Sequence, residues 1–225
     1  MSLLEYLHLQ LRLEGKEVVN GNLLRQVEAV PGEDMPLMIL GFLSTQDLID
    51  YYDESLSTEL REKLKHQISL IKFPYVEPII HFLQLQSFLL EVGHYKTYIF
   101  PEHDQTSPIQ EVKPYSKLDL KVQAFGFDSF AEEVFAIERG GKIVSACVST
   151  RENKQCAEAW VYTDPNYRNQ GFAGQVVRAW ARKMSQAGKV PFYSHKIENK
   201  TSAGLAAKLG LVPVFEEVSI SYMNV

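Results

Sequence analysis

The sequence is poor in the features that mark secreted, membrane and metal-binding proteins. It holds two cysteines, Cys147 and Cys156, among 225 residues, which is too few for a disulfide framework. Its first residues lack the basic start of a signal peptide, and no apolar run approaches the ~20 residues of a membrane span. Cysteine and histidine pairs at metal-ligand spacing are absent as well. We therefore expect a cytoplasmic protein without a resident metal, in which the two thiols have a structural role.

A strong excess of one charge is also missing, but the two parts of the chain differ in sign. The net charge is -5. Residues 1–104 contain 8 basic and 16 acidic side chains, a net charge of -8, whereas residues 105–225 contain 15 and 12, a net charge of +3. The second part is too weakly basic for a nucleic-acid-binding domain. Its mild positive charge favours a small anionic ligand instead.

The first part of the chain has the apolar spacing of a mainly helical region. Residues 60–71 place leucine and isoleucine at helical intervals, and residues 79–91 are apolar enough for a helix buried on most sides. In residues 7–13 every second residue is a leucine, which fits a half-buried strand, although a helix stays open over so short a stretch. Residues 101–110 are polar, contain two prolines and predict a linker. We therefore place a domain boundary between residues 104 and 105.

The second part of the chain alternates between strand-like and helix-like segments. A double glycine separates the first two strand-like runs, as in a hairpin turn, and a third run follows a polar turn. A helix with one apolar face comes next and ends before Gly188. The predicted order is β-β-β-α-β-α-β, a mixed α/β sheet, with strands at 132–138, 142–149, 156–163, 190–195 and 211–223 and helices at 172–187 and 200–209.

The loop between the third strand and its helix has the character of a phosphate site. The first turn of a helix offers free N–H groups at the positive end of its dipole, which suit a phosphate. Gly171 would let the backbone approach such an anion, and Arg168 would add a cation. The loop matches neither the P-loop pattern GxxxxGK[ST] nor the dinucleotide-binding pattern GxGxxG. It therefore predicts a phosphate-bearing ligand held by a different motif.

The residues of this loop resemble a known family signature. The pattern R-x-x-G-x-A, formed by Arg168, Gly171 and Ala173, resembles the signature [QR]-x-x-G-x-[GA] of the GNAT N-acetyltransferase superfamily. A later segment resembles the second acyl-CoA motif of that family and consists of Asn199, Ser202, Leu205, Lys208 and Gly210. The resemblance covers roughly residues 105–225. It implies a GNAT-like acyl-CoA N-acyltransferase fold with a mixed α/β (α+β) sheet, preceded here by the mainly helical N-terminal region.

The resemblance also implies a site for acetyl-CoA as cosubstrate. In the family, the pyrophosphate lies on the backbone N–H groups of the signature loop. The pantetheine arm pairs like an extra strand with the strand before that loop, where this strand and the next splay apart. The cofactor contacts implied here are Val161, Tyr162, Thr163, Arg168, Asn169, Gln170, Gly171, Phe172, Ala173 and Gly174, together with Asn199 and Ser202. The last two residues also fit helix caps.

The residues that would perform the chemistry are less clearly marked. Acetyl transfer to an amine needs a neutral amine, a hydrogen-bond donor to the thioester oxygen and a proton for the leaving thiolate. Many relatives supply that proton from a tyrosine at the position of Ala206. The substitutes here are Tyr193, Ser194 and His195 on the strand beside the cleft, although Tyr193 also fits core packing and His195 an ordinary strand end. Glu158 is the candidate base, and a structural acid is an equal alternative.

We therefore expect an acetyl-CoA-dependent N-acetyltransferase that moves an acetyl group directly to an amine. The acceptor is a small molecule or a protein, and we expect no metal, nucleic-acid or membrane partner. Homodimers are frequent in such families, so a homodimer stays open. One alternative is a non-catalytic acyl-CoA sensor or interaction module, which Ala206 supports best. The other is an aminoacyl-transferring relative, although a pair of such domains needs about 300 residues.

Overall fold

The computed structural model describes residues 1–30, 35–43, 47–71, 75–86, 88–101, 111–127 and 132–223. Backbone contacts divide the chain into two compact units. The first unit combines residues Met1–Lys96 with Val214–Val225, and the second unit is Thr97–Pro213. The predicted boundary between residues 104 and 105 lies outside the described residues.

The described residues of the first unit form helices and strands in similar amounts. The helices are α1 (Leu3–Leu13), α2 (Thr58–Ile68) and α3 (Glu77–Leu85). The strands are β1 (Lys16–Val19), β2 (Leu23–Gln26), β3 (Met38–Phe42), β4 (Leu48–Asp53) and the first part of β5 (Leu90–Ile99). The expectation of a mainly helical region therefore differs from the structure, because short strands occupy much of this region.

Residues 7–13 form the end of helix α1, although their alternation fitted a strand. Ser2 caps the helix and accepts a hydrogen bond from the Glu5 amide, while the Glu5 carboxylate accepts from the Ser2 amide at 2.6 Å. This reciprocal capping box fixes the start of a helix. Leu7, Leu9 and Leu11 are all buried. The helix is thus covered on several sides, which is why its leucines lack the spacing of a one-sided helix.

The next two helices follow the prediction more closely. Ser57 caps α2, which buries Leu64 as its spacing indicates. The apolar segment from residue 79 begins within α3, but that helix ends at Leu85 and the chain is extended again from Leu90. The core of the unit is apolar, and its buried members include Leu37, Met38, Leu40, Phe42, Tyr52, Leu64, Ile79, Leu83, Val218 and Ile220.

Strand β11 (Val212–Tyr222) completes the sheet of the first unit from the far end of the sequence. The order in this unit is β1-β2-β4-β3-β11. Residues 216–220 of β11 pair antiparallel with residues 38–42 of β3, and β2 pairs parallel with β4. The chain therefore passes between the two units in β5 and in β11.

The first six of the seven predicted elements occur in the second unit in the predicted order, which confirms the mixed α/β fold, whereas most of the last predicted strand, β11, belongs to the first unit. The predicted elements are β7 (Glu133–Arg139), β8 (Lys142–Glu152), β9 (Cys156–Thr163), α5 (Phe172–Gln186), β10 (Val190–Lys196) and α6 (Lys200–Leu209). They are preceded by β6 (Lys113–Ser116) and α4 (Leu120–Phe125), which the sequence did not reveal. The strand order is β10-β9-β8-β7-β6. Only β9 and β10 pair in parallel among these strands.

Helix α5 covers one face of this sheet. Its apolar side chains, among them Val176, Val177 and Trp180, are buried with Ala157 and Tyr193 of the strands. A separate apolar cluster contains Val122 from α4 together with side chains of β7 and β8. Within the described part of the chain, no helix is long and apolar enough to cross a membrane.

Candidate active site

Strands β9 and β10 separate halfway along their length. They pair at Cys156 with Val190, Ala157 with Pro191 and Glu158 with Phe192. Beyond that point β9 continues to Thr163 and β10 to Lys196, with no further register pair between these described residues. The backbone N–H and C=O groups on the facing edges are therefore available to a ligand lying between the strands.

An irregularity in the neighbouring strand lies at the same level. On β8, Ser149 pairs with Ala159 of β9, but Arg151 pairs with Glu158. Thr150 is thus an extra residue on β8, a β-bulge that locally increases the twist of the sheet. The bulge and the separation of β9 from β10 both occur at Glu158 and Ala159. The added twist at this point lets β9 leave β10 while it stays paired with β8.

A structured loop connects β9 to α5. A short 3-10 turn at Pro165–Tyr167 is capped by Asp164, whose carboxylate accepts from the Asn166 amide at 2.8 Å. Arg168 donates from Nε to the Thr163 carbonyl at 3.2 Å, and its guanidinium lies 5.9 Å from the centre of the Tyr162 ring. Arg168 therefore holds the loop against the end of β9.

The N-terminus of α5 has no side-chain cap. Gly171 precedes the helix with φ 80° and ψ 1°, and among the described residues this helix start has no side-chain cap hydrogen bond. These amides and the helix dipole are therefore available to an anion. A Cβ at Gly171 would meet nothing within 4 Å. The left-handed backbone favours glycine at this position, and the close approach of an anion to Gly171 stays a prediction.

A pocket of about 630 Å³ joins this helix end to the separated strands and to α6. It is lined by Val161, Tyr162, Thr163, Arg168, Asn169, Gly171, Phe172, Ala173, Gly174, Asn199 and Ser202 among the predicted cofactor residues. Gln170, the remaining one, is exposed and does not line it. The sequence reading missed Tyr167, Lys200, Thr201 and Gly204, and the two lysines of the lining, Lys200 and Lys208, add positive charge.

Tyr193 lines the same pocket from β10. Its side chain is buried and shares a hydrogen bond with the Ser202 hydroxyl. Burial raises the pKa of the Tyr193 phenol, and the hydrogen bond from Ser202 only partly opposes this. Asn199 caps α6 by accepting from the Ser202 amide at 3.0 Å. Ala206, where relatives carry tyrosine, is buried in the same cluster as Tyr193.

His195 and Ser194 contact the end of β5 instead. The His195 ring is buried, stacks on Tyr98 with 5.4 Å between ring centres, and has Nε2 at 3.3 Å from the Tyr98 hydroxyl. The Ser194 hydroxyl lies 3.0 Å from that of Thr97. No sequence signal could have revealed Thr97 and Tyr98, because each lies 97 positions from its partner.

The Glu158 side chain contacts Arg151 and does not line the pocket. Its carboxylate Oε2 accepts from Arg151 Nε at 2.8 Å and forms an ion pair with the same guanidinium. Glu158 is almost fully buried and is not among the residues that line the pocket. The sequence had left a catalytic and a structural acid equally open, and this contact supports the structural one.

The cysteines and tryptophans lie in different surroundings. Cys147 and Cys156 form no disulfide and are buried on the paired strands β8 and β9, and burial raises the pKa of the Cys147 thiol well above its usual value. Trp180 is fully buried and donates to the Ser149 hydroxyl at 3.0 Å. Trp160 is 38% exposed and stacks on Phe127. Trp180 is therefore a core residue, whereas Trp160 is partly exposed.

Residues 118–216 match the model of the GNAT acetyltransferase family. This part of the chain, 99 of its 225 residues, is thus similar to GNAT acetyltransferases. It is 37% identical over 82 residues to an uncharacterized N-acetyltransferase, YdfB, of Bacillus subtilis, an alignment that covers 36% of this chain and 31% of that protein. The match thus spans about a third of the curated relative's length.

Solved structures show the same fold. A GNAT-family acetyltransferase from Colwellia psychrerythraea has a TM-score of 0.51 at 13% identity, over 78% of this chain and 76% of that one. A GCN5-related N-acetyltransferase from Sphaerobacter thermophilus has a TM-score of 0.50 at 9% identity, over 98% and 92%. The predicted GNAT fold is therefore confirmed. In the GNAT family, acyl groups are transferred from acyl-CoA, and the described residues of this chain contain no acidic, histidine or cysteine cluster suited to a metal.

Proposed function

We propose that this protein is an acetyl-CoA-dependent N-acetyltransferase that moves the acetyl group directly to an amine of its acceptor. The observation that carries the proposal is one continuous pocket. It joins the uncapped start of α5 to the strand edge that β9 exposes where it leaves β10. This arrangement offers amides for a phosphate and strand-like backbone for an amide-containing chain in the same ligand.

On this proposal, one group of pocket residues would bind the pyrophosphate of acetyl-CoA and another would bind its pantetheine arm. The amides of residues 171–174 would bind the pyrophosphate, with Lys200 and Lys208 adding charge attraction. Val161 and Thr163 would pair with the pantetheine amides. Acetyl-CoA supplies a thioester, whose carbonyl carbon the amine attacks. The thioester would then lie towards the point where the strands separate, close to Tyr193.

Tyr193 is our candidate for the proton donor to the leaving thiolate. It lines the pocket, and its raised pKa keeps the phenol protonated at neutral pH. Ser202 lies beside it on α6, the helix from which relatives present their tyrosine. The missing tyrosine at Ala206 therefore has a replacement on the adjacent strand. We assign Glu158 and Ser194 to structural contacts with Arg151 and Thr97.

The alternative is a protein that binds acyl-CoA without transferring it, which the alanine at position 206 favours. The acceptor stays a prediction: an amine carried by a small molecule or by a protein. A homodimer also stays a prediction. Binding of CoA is measured by titration calorimetry. Release of CoA from acetyl-CoA is then measured with primary amines in matched pairs, among them ethylamine, which is protonated at neutral pH, and trifluoroethylamine, which is not. Binding without turnover on any amine or peptide N-terminus would favour the sensor.

Two variants at one position, one charged and one neutral, test where the phosphates bind. Ala173 lies in the first turn of α5 and lines the pocket. Ala173→Glu puts a negative charge where the pyrophosphate would bind, while Ala173→Gln has nearly the same volume without the charge. Because an acid in the first helical turn does not destabilise the helix, both variants should fold. We expect Ala173→Glu to weaken CoA binding at least about tenfold more than Ala173→Gln does. Equal affinities would mean that the phosphates bind elsewhere.

A further inference from the structure

The ring of His195 is held in one orientation by contacts on both of its nitrogens. Nδ1 lies 2.8 Å from the carbonyl oxygen of Lys196, and Nε2 lies 3.3 Å from the Tyr98 hydroxyl. The two rings also stack, with an angle of 26° between their planes. Both residues belong to the second unit, with Tyr98 near the end of β5 and His195 near the end of β10.

These contacts determine which nitrogen carries the proton. A carbonyl oxygen can only accept a hydrogen bond, so Nδ1 carries hydrogen and donates to Lys196. In the neutral ring Nε2 then has a free electron pair, and the Tyr98 hydroxyl donates to it. This is the arrangement of an imidazole that can take a proton from a hydroxyl group.

Tyr98 and His195 do not line the pocket themselves, but His195 is a neighbour of Tyr193, which does. His195 follows the last paired residue of β10, Phe192, and points to the same side of the strand as Tyr193. The rings of Tyr193 and His195 are 6.4 Å apart at their centres. Tyr98 is only partly buried, whereas Tyr193 and His195 are almost fully buried. Tyr98 is thus the most exposed residue of the three.

We propose that Tyr98 and His195 form a proton relay that neutralises the acceptor amine. The ammonium group of the acceptor gives one proton to the Tyr98 oxygen, while the Tyr98 proton passes to Nε2 of His195. The products are a neutral amine, an intact phenol and an imidazolium ion. The amine then attacks the thioester carbon, the carbon–sulfur bond breaks, the thiolate takes the proton of Tyr193, and the new amide nitrogen gives its surplus proton to the Tyr193 oxygen, which restores the phenol. The inference rests on the proposed function and names Tyr98 as a catalytic residue that the sequence did not reveal.

The test compares two amines that differ mainly in their basicity. Tyr98→Phe keeps the stacked ring and removes the hydroxyl, and His195→Gln keeps a hydrogen-bond acceptor but cannot take the proton. We expect each variant to lower kcat for protonated ethylamine about 100-fold, the usual contribution of general acid–base catalysis. The kcat for trifluoroethylamine, which is already neutral, should change several-fold at most. The double variant should lose no more than either single one, because the two residues act as a unit.

Tyr115→Phe is the matched control, since it removes a phenol hydroxyl that bonds to Glu138 and since Tyr115 packs against a different apolar cluster from that of Tyr98. It should leave both rates unchanged. Equal losses on the two amines in Tyr98→Phe and His195→Gln would assign the pair a structural role and overturn the relay, as would full activity on ethylamine. Failure of the proposed function looks different, because the unaltered protein would then bind no CoA or turn over neither amine.

Discussion

The left-handed backbone at Gly171 allows a quantitative prediction. An L-residue forced into that conformation costs roughly 1–2 kcal/mol, and asparagine tolerates it better than alanine. The space around the position is open, so a Cβ at φ 80° adds conformational strain but no clash. Gly171→Ala should therefore destabilise the protein by roughly 1–2 kcal/mol, and Gly171→Asn should recover most of the loss.

Gly174 provides the comparison because it lies within helix α5 with ordinary backbone angles. A Cβ there would lie 3.6 Å from a Leu209 methyl carbon, which is a normal contact. Replacing a helical glycine by alanine stabilises a helix by roughly 0.5–1 kcal/mol. For a chain of this size 1 kcal/mol shifts Tm by about 2–4 °C. We expect Gly171→Ala to lower Tm by about 2–8 °C and Gly174→Ala to leave it equal or slightly raised.

Thermal unfolding followed by circular dichroism measures both shifts without any ligand. If Gly171→Ala unfolds with the wild-type Tm, or if Gly171→Asn is no better than alanine, the backbone conformation of Gly171 does not cause the strain. If Gly174→Ala is as destabilised as Gly171→Ala, the cost comes from added volume at the start of α5 and the reasoning fails.

Two further predictions concern the buried charges and the proton donor. Arg151→Met should destabilise the protein by about 3–5 kcal/mol in urea unfolding, since it leaves the buried Glu158 carboxylate without this ion pair, and Glu158→Leu should cost less because the Arg151 side chain is 18% exposed. The double variant should lose less than the sum of the two. A Glu158→Gln variant of normal stability but abolished turnover would instead restore Glu158 as a base. Tyr193→Phe should lower kcat about 100-fold while CoA affinity stays close to that of the wild type. Unchanged turnover would exclude Tyr193 as the proton donor.

The sequence was most informative where chemistry and local geometry demand the same residues. Gly171 and Gly210 both adopt left-handed backbone at helix ends, and the apolar face of α5 has a clear helical period. The signature loop could therefore be placed before the structure was known. The signature loop lines one pocket together with Asn199 and Ser202, as the resemblance to the GNAT family implies.

The parts that could not be predicted depend on contacts between distant residues or on short elements. Strands β1 and β2 have four residues each, too few for a reliable period. The partner of Glu158 depends on the register of β8, which the bulge at Thr150 shifts by one residue. Likewise, Tyr98 lies beside His195 only because β5 ends next to β10.

The pairing of β11 with β3 has a consequence for the order in which the protein folds. Val218 and Ile220 are buried in the first unit, against side chains that precede them by most of the chain. The sheet of that unit cannot be completed during synthesis until β11 has left the ribosome, whereas the contiguous residues of the second unit are by then already available. The loop closed by β3 and β11 contains the second unit, so prior compaction of this unit shortens the distance that the two strands must bridge. The catalytic unit should therefore assist the folding of the unit that encloses it in sequence.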